Sequence, residues 1–293
     1  MNPKIVLRSA AALLVLAVSV PATALEAPSR PAPAPALALA APADRAQVPS
    51  RAATPAPPAP AAPAAALGPL TSESDALYAE RATLAKAKEA RAKLVAALDA
   101  GEDAFEANWR LARVSYWIGD HTGAADLKKK TFLEGIEYAK KAIAIDPKRP
   151  DGHFWLGVCY GVYGEAKGVL KSLSLVKPIK ESMRRVLEID PAYDRGGADR
   201  VLGRVYHELP GFAGGSEKLS LEHLLKAVEY GPRVGLNLLY LADTYVSLDE
   251  VEKAREILER ILTMETEPDL LPEIAEEREQ ARAKLDKKPF KKK

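Results

Sequence analysis

The sequence predicts an all-α protein, a solenoid of stacked helical hairpins. Three observations predict it. Ala, Leu, Lys, Glu and Arg dominate the second half of a 293-residue chain that is 47% hydrophobic and only 6% aromatic, as helical repeats are. After residue 70 no stretch shows the two-residue alternation of a strand. One phrase also recurs: "AIAIDPKRPDGHFWLGVCYGVYG" from Ala142 is echoed by "VLEIDPAYDRGGADRVLGRVYHELPG" from Val186.

The first 24 residues read as an export signal. Lys4 and Arg8 precede the apolar run "SAAALLVLAVSV", and "ATA" (Ala22–Ala24) is a small-x-small cleavage site. Cleavage is expected after Ala24. It would take the formal charge from +2 to zero, which leaves no net field to draw nucleic acid. From residue 25 to 70 the chain is Pro and Ala, with no apolar periodicity. Proline blocks helix interiors, so this segment is expected to be a disordered, partly polyproline-II tether reaching on the order of 140 Å.

Structure is expected over residues 71–286. Ser72 or Ser74 can cap a first helix, helix formers run to Asp99, and Gly101 ends the run. Four units then align on Leu-Gly-x-x-Tyr followed by a helix that ends in Pro. They carry Trp109, Ala112 and Tyr116; Leu156, Gly157 and Tyr160; Leu202, Gly203 and Tyr206; and Leu241, Ala242 and Tyr245. The first three close at Pro147, Pro191 and Pro232. This is the tetratricopeptide signature, a helix-turn-helix brick of about 34 residues that must stack to bury its apolar face. Units one and two carry about ten extra residues and unit three about five. Longer helices or ordered loops are expected there. Residues 287–293 form a basic tail with five lysines after Asp286, expected to be solvated.

Three stretches sharpen the assignment: "HFWLGVCYG", "LGRVYHELPGFAGGSEKLSLEHLLKAVEYGP" and "NLLYLADTY". Together they resemble the tetratricopeptide proteins associated with TRAP transporters, the T-component family. They are also similar to the regulator of microtubule dynamics family of eukaryotes. The resemblance spans roughly residues 75 to 265. The T-component family implies a periplasmic or envelope-associated location and a solute-binding protein as partner. Many of its members are lipoproteins, and no lipid-bearing Cys stands at this signal's cleavage site.

The residues offer no catalytic group, cofactor motif or metal ligand set. His121, His153, His207 and His223 do not pair at metal spacing, and the one cysteine, Cys159, reads as a buried apolar residue. "GFAGGSEK" reads as a family turn between helices, with anion binding on its backbone N–H groups as the alternative. In tetratricopeptide units the first helix lines the concave face. The positions two before, two after and five after the Leu of Leu-Gly fall on it. That stripe is Arg110, Val114 and Trp117; Phe154, Val158 and Gly161; Arg200, Arg204 and His207; Leu239, Asp243 and Val246. An apolar trough beside two arginines suits a peptide end or an amphipathic organic acid. The opposing expectation is that Trp117 and Phe154 pack beneath the insertions. The sequence therefore reads as an exported, non-catalytic scaffold for a protein partner. The alternatives are a carrier of an apolar acid and an envelope tether.

Overall fold

The structure is a computed structural model that describes residues 66–291. The chain divides into two units, Met1–Ala62 and Pro63–Lys293, and only the second contains described residues. The expected signal at 1–24 and nearly all of the Pro/Ala segment lie outside them.

Among the described residues there are eleven α-helices: α1 (Pro69–Ala79), α2 (Leu84–Asp99), α3 (Ala104–Asp120), α4 (Ala125–Ile145), α5 (Pro150–Lys167), α6 (Val169–Ile189), α7 (Tyr193–Glu208), α8 (Glu217–Tyr230), α9 (Gly235–Ser247), α10 (Val251–Thr263) and α11 (Leu271–Leu285). They pair as hairpins from α1–α2 to α9–α10, and α11 packs on α9 and α10. The four units read from the sequence are α3 to α10. A further hairpin precedes them and one helix follows.

The extra residues lengthen helices. α4 and α6 each have 21 residues, against 13 in the insertion-free α10. The third insertion becomes a short 3-10 turn, Gly211–Ala213. The recurring Ile-Asp-Pro is a stop signal used twice. After α4 the Asp146 carboxylate accepts the Lys148 N–H at 2.9 Å. After α6 Asp190 accepts the Ala192 N–H at 3.0 Å. Each aspartate folds its own chain into an Asx turn, and the proline between cannot continue the helix.

Three local expectations are corrected. The first helical run is broken at residues 80–83, where Arg81 turns inward and is 5% exposed. Its N-terminus is capped by neither Ser72 nor Ser74. Glu102, from the α2–α3 loop, accepts the Leu70 and Thr71 N–H groups at 2.9 and 3.0 Å. The tail does not hang free through its described part. Phe290 is 6% exposed and packs with Leu238, Leu258 and Ile274, and its carbonyl accepts Arg255 at 2.6 Å.

Small residues set the spacing inside each hairpin. A side chain at Gly157 would meet the terminal methyl of Met183, whereas one at Gly203 would meet the branch point of fully buried Leu224. The difference is testable, because a flexible end moves aside and a branched core residue does not. Gly203→Ala is expected to lose about 1–2 kcal/mol of stability, overpacking outweighing the gain in helix propensity. Gly157→Ala is expected to be neutral or stabilising by up to about 1 kcal/mol. Urea unfolding followed by circular dichroism measures both, and equal losses would show that Met183 cannot yield.

Candidate functional site

The first helix of every hairpin, together with α11, forms the inner wall. α11 does not end the wall in the open. It returns to the first hairpin through Arg81, whose guanidinium donates to both carboxylate oxygens of Glu273 at 2.7 Å and to the Asp269 carbonyl at 2.5 Å. The Arg81 plane also lies over the rings of Tyr78 and Trp117, 4.7 and 5.2 Å from their centroids. Trp117 Nε1 donates to the Arg81 carbonyl at 2.8 Å. His121 stacks on Trp117 at 3.8 Å and reaches Glu276 at 3.3 Å. Residues 192 positions apart thus form one clasp.

A second set of ion pairs leans on the same region. Arg195 donates to Glu267 at 2.8 Å and to both oxygens of Asp269 at 3.0 Å. To reach them the chain takes left-handed backbone at Asp194, Arg195 and Gly196, with φ of 50°, 53° and 77°. Two successive non-glycine residues there are strained and must be held by their surroundings. Asn237 holds them, donating to the Arg195 carbonyl at 3.2 Å and to the Ala227 carbonyl at 2.8 Å.

This closure decides the fate of the expected stripe. Val114, Trp117, Phe154 and Leu239 are 4% exposed or less. Val114 and Trp117 join Leu94 and Leu111, Phe154 joins Met183 and Leu202, and Leu239 joins Leu258 and Ile261. Val158 packs on the Phe154 cluster, partly buried. No open apolar trough runs through these residues, because neighbouring hairpins and the clasp cover them. The polar members are occupied from within. Arg110 pairs with Asp75 at 2.9 Å and with Glu106. Arg200 is held by Asp194 at 2.5 Å and Asn237 at 3.0 Å. Arg204 pairs with Glu208 at 2.5 Å and Asp243 at 3.1 Å, and Asp243 also accepts Lys284 of α11 at 2.5 Å. His207 contacts Glu217 at 3.0 Å. Of the expected polar residues, Arg204 and Asp243 pair with each other across neighbouring units.

The interior instead presents residues that the stripe omitted. The Tyr116 phenol lies within electrostatic reach of Tyr78, Tyr240 and Arg200, and the Tyr240 phenol within reach of Arg200. Burial pushes the Tyr78 phenol up to about 12 and raises Tyr116 and Tyr240 as well. The Trp155 ring lies 5.8 Å from Tyr116 and 5.1 Å from Phe154. Among the described residues, Trp155 Nε1 and Arg113 Nε are buried without a hydrogen-bond partner. Arg113 lies over Tyr78 at 4.1 Å and pairs with Asp75 at 2.7 Å. The result is an aromatic lining with guanidinium groups behind it. Of these residues only Tyr116 is the Tyr of a Leu-Gly-x-x-Tyr unit, and Tyr78, Tyr240 and Trp155 fall outside that pattern. Cys159 is fully buried, and burial pushes its thiol up to about 12, as expected of an inert core residue.

Glu277 on α11 faces the N-terminus of α9 and is 7% exposed. Burial first, and then the neighbouring Glu273, push its carboxyl up to about 7, against one hydrogen bond from the Leu236 N–H. Its proton is therefore held more tightly folded than unfolded. The stability it contributes is full below about 4.5 and is lost as pH rises through about 7.

Two outcomes follow. Arg81→Ala leaves the partly buried Glu273 carboxylate without its partner and is expected to cost about 2–3 kcal/mol. Hydrogen exchange should speed up in α1 and α11 before α4, and unchanged protection there would refute the clasp. Glu277→Gln is expected to match the parent near pH 5 and to exceed it at pH 8 by about 1–3 kcal/mol. Denaturant midpoints across that range measure it, and a parallel pair of curves would show that Glu277 does not titrate between them.

The family model "Regulator of microtubule dynamics protein 1-3" matches residues 70–196, and "TRAP transporter T-component" matches residues 151–289. Regulator of microtubule dynamics protein 1 of Bos taurus is 33% identical over 91 residues, 31% of this chain and 28% of that protein. The Mus musculus protein of that name is 25% identical over 163 residues, 50% of this chain and 53% of that protein. The chain thus spans between about a quarter and a half of the length of these relatives. A thermophilic TPR protein of Thermus thermophilus, known from a crystal structure, superposes with a TM-score of 0.53 at 17% identity, covering 73% of this chain and 98% of that one. The chain is a tetratricopeptide-type helical-repeat protein that resembles both the TRAP transporter T-component and the regulator of microtubule dynamics families.

Proposed function

We propose that this protein is an exported, non-catalytic scaffold that binds a protein partner, the solute-binding subunit of a TRAP-type uptake system. The T-component match over residues 151–289 carries the reading. It covers the inner helices α5, α7 and α9 together with the closing helix α11. The signal-like segment at 1–24 supports export. No described helix is long and apolar enough to cross a membrane. A stacked solenoid suits this role because its surface is large and its repeats hold it rigid.

A second reading rests on a separate observation, the aromatic interior with buried, unpartnered Trp155 Nε1 and Arg113 Nε. Buried donors of this kind call for an explanation. An apolar organic acid carried inside the solenoid would supply one, with its carboxylate toward Arg113. Such a guest would lie against Tyr78, Tyr116 and Trp155, next to Trp117 and Phe154, which are core.

Immobilised full-length chain incubated with envelope extract separates the two. The scaffold reading expects one solute-binding protein, identified by mass spectrometry, and no small molecule released on denaturation. A small molecule without a protein supports the carrier, and capture of neither overturns both readings. N-terminal sequencing of the exported chain should begin at Leu25.

A further inference from the structure

The segment "GFAGGSEK" has no part in the interior. It joins α7 to α8 and is built to be stiff. The Ala213 and Gly215 N–H groups both donate to the Pro210 carbonyl, at 2.8 and 3.1 Å, and the Ser216 N–H donates to the Tyr206 carbonyl at 2.9 Å. Gly214 is left-handed, with φ of 88°. Any side chain at Gly215 would strike the Leu209 carbonyl. A loose loop of this composition would fold its one large ring inward. This loop holds Phe212 out, 92% exposed.

Beside that loop lies a recess of about 360 Å³ between Ala213 and one face of α6. Leu173 and Val176 give it apolar walls, and Lys177, Lys180 and Arg184 give it a cationic rim. The three cations share a helical face at i, i+3 and i+7. They are weakly neutralised. Lys177 and Glu181 stand 3.7 Å apart and both are exposed. Lys180 lies 3.8 Å from the centroid of the Tyr206 ring. Among the described residues, Arg184 has no carboxylate partner.

An exposed aromatic on the loop that walls the recess, and an arginine on its rim, are the residue chemistry of an interface anchor. The charges choose the occupant. A second copy of this chain would bring the same cations face to face and be repelled. A bilayer would meet Phe212 and the cations but leave the recess unfilled, whereas a protein side chain fills it. We propose that the recess between Ala213 and α6, beside the exposed Phe212, docks an acidic segment of a partner protein, with a large apolar side chain set between carboxylates. The apolar chain would enter against Leu173 and Val176, with Phe212 on the adjoining loop, and the carboxylates would pair with Lys180 and Arg184. The proposal rests on the scaffold reading and locates one of its contact surfaces.

The test is a random 12-residue peptide library displayed on phage and panned on the full-length chain. Phe212→Ser and Arg184→Glu are panned in parallel. Both positions are exposed, so both variants are expected to keep the parent's helical circular dichroism and melting temperature. Peptides enriched on the parent should carry Asp or Glu flanking Phe, Leu or Trp, and should bind each variant about tenfold more weakly or worse. Replacing their acidic residues with Lys should restore binding to Arg184→Glu. Enrichment without an acidic bias, or equal binding to the variants, overturns the proposal. So does the absence of enriched peptides, as would sedimentation with phosphatidylglycerol vesicles that is lost in the same variants, which would mark a lipid surface instead. Failure here leaves the capture of a solute-binding protein by the whole scaffold standing, because that experiment does not depend on this recess.

Discussion

The bidentate pairing of Arg81 with Glu273 is the constraint on which the interior depends. Stacked repeats touch only their neighbours, so their number and length bring the two ends together but no neighbour contact ties them. Here they are fixed by one arginine. Its guanidinium donates to the Glu273 carboxylate and to the Asp269 and Tyr78 carbonyls, and the rings of Tyr78 and Trp117 flank it. Withdrawing such a group from water is costly, and complete pairing offsets the cost only when every donor is used. The clasp is accordingly surrounded by supporting contacts. Arg195 shares Asp269 with it, and Asn237 pins the left-handed turn that delivers Arg195.

Closure changes what the inner wall can do. An open solenoid offers unpaired charges along its concave face to an extended ligand. In this protein Arg200, Arg204 and Arg110 are each matched by an internal carboxylate. A ligand that displaced one pair would strand the other half in a poorly hydrated interior. The inner wall is thus better suited to an apolar guest among Tyr78, Tyr116 and Trp155 than to an acidic peptide along the arginines. Weakly neutralised cations lie instead on the outer side of α6, and they are available to a second protein at no cost to the fold.

Much of the fold was legible in the sequence. The Leu-Gly-x-x-Tyr spacing located four hairpins, the surplus residues located the long helices α4 and α6, and the prolines after Asp146 and Asp190 located two turns. These features are local, encoded within a few residues of where they act. The stripe on the first helix of each unit was also placed on the correct helices. Its exposure was not legible, because periodicity states which face a residue is on but not what lies opposite. Val114 and Trp117 are covered by the first hairpin, which lies outside the four aligned units. The Arg81 break in the first helical run was hidden for the same reason: its partners are 188 and 192 residues away. Ser72 was expected to cap α1 from its own segment, and the cap came from Glu102, 31 and 32 residues on.

The two family matches overlap at residues 151–196, which hold α5, α6 and the left-handed turn at Asp194–Gly196. The overlap is physically informative. It joins a long outer helix to the strained turn that carries Arg195 toward α11. Upstream of it the chain resembles one family and downstream the other, yet both halves contribute to the clasp, Arg81 from the first and Glu273 from the second. A salt bridge between halves with separate resemblances cannot be inferred from either half alone. It forms because the number and length of the hairpins between them bring α11 back to the first turn. A change in hairpin number would open the interior even with Arg81 and Glu273 both kept, so the closure belongs to this arrangement of repeats and not to any one of them.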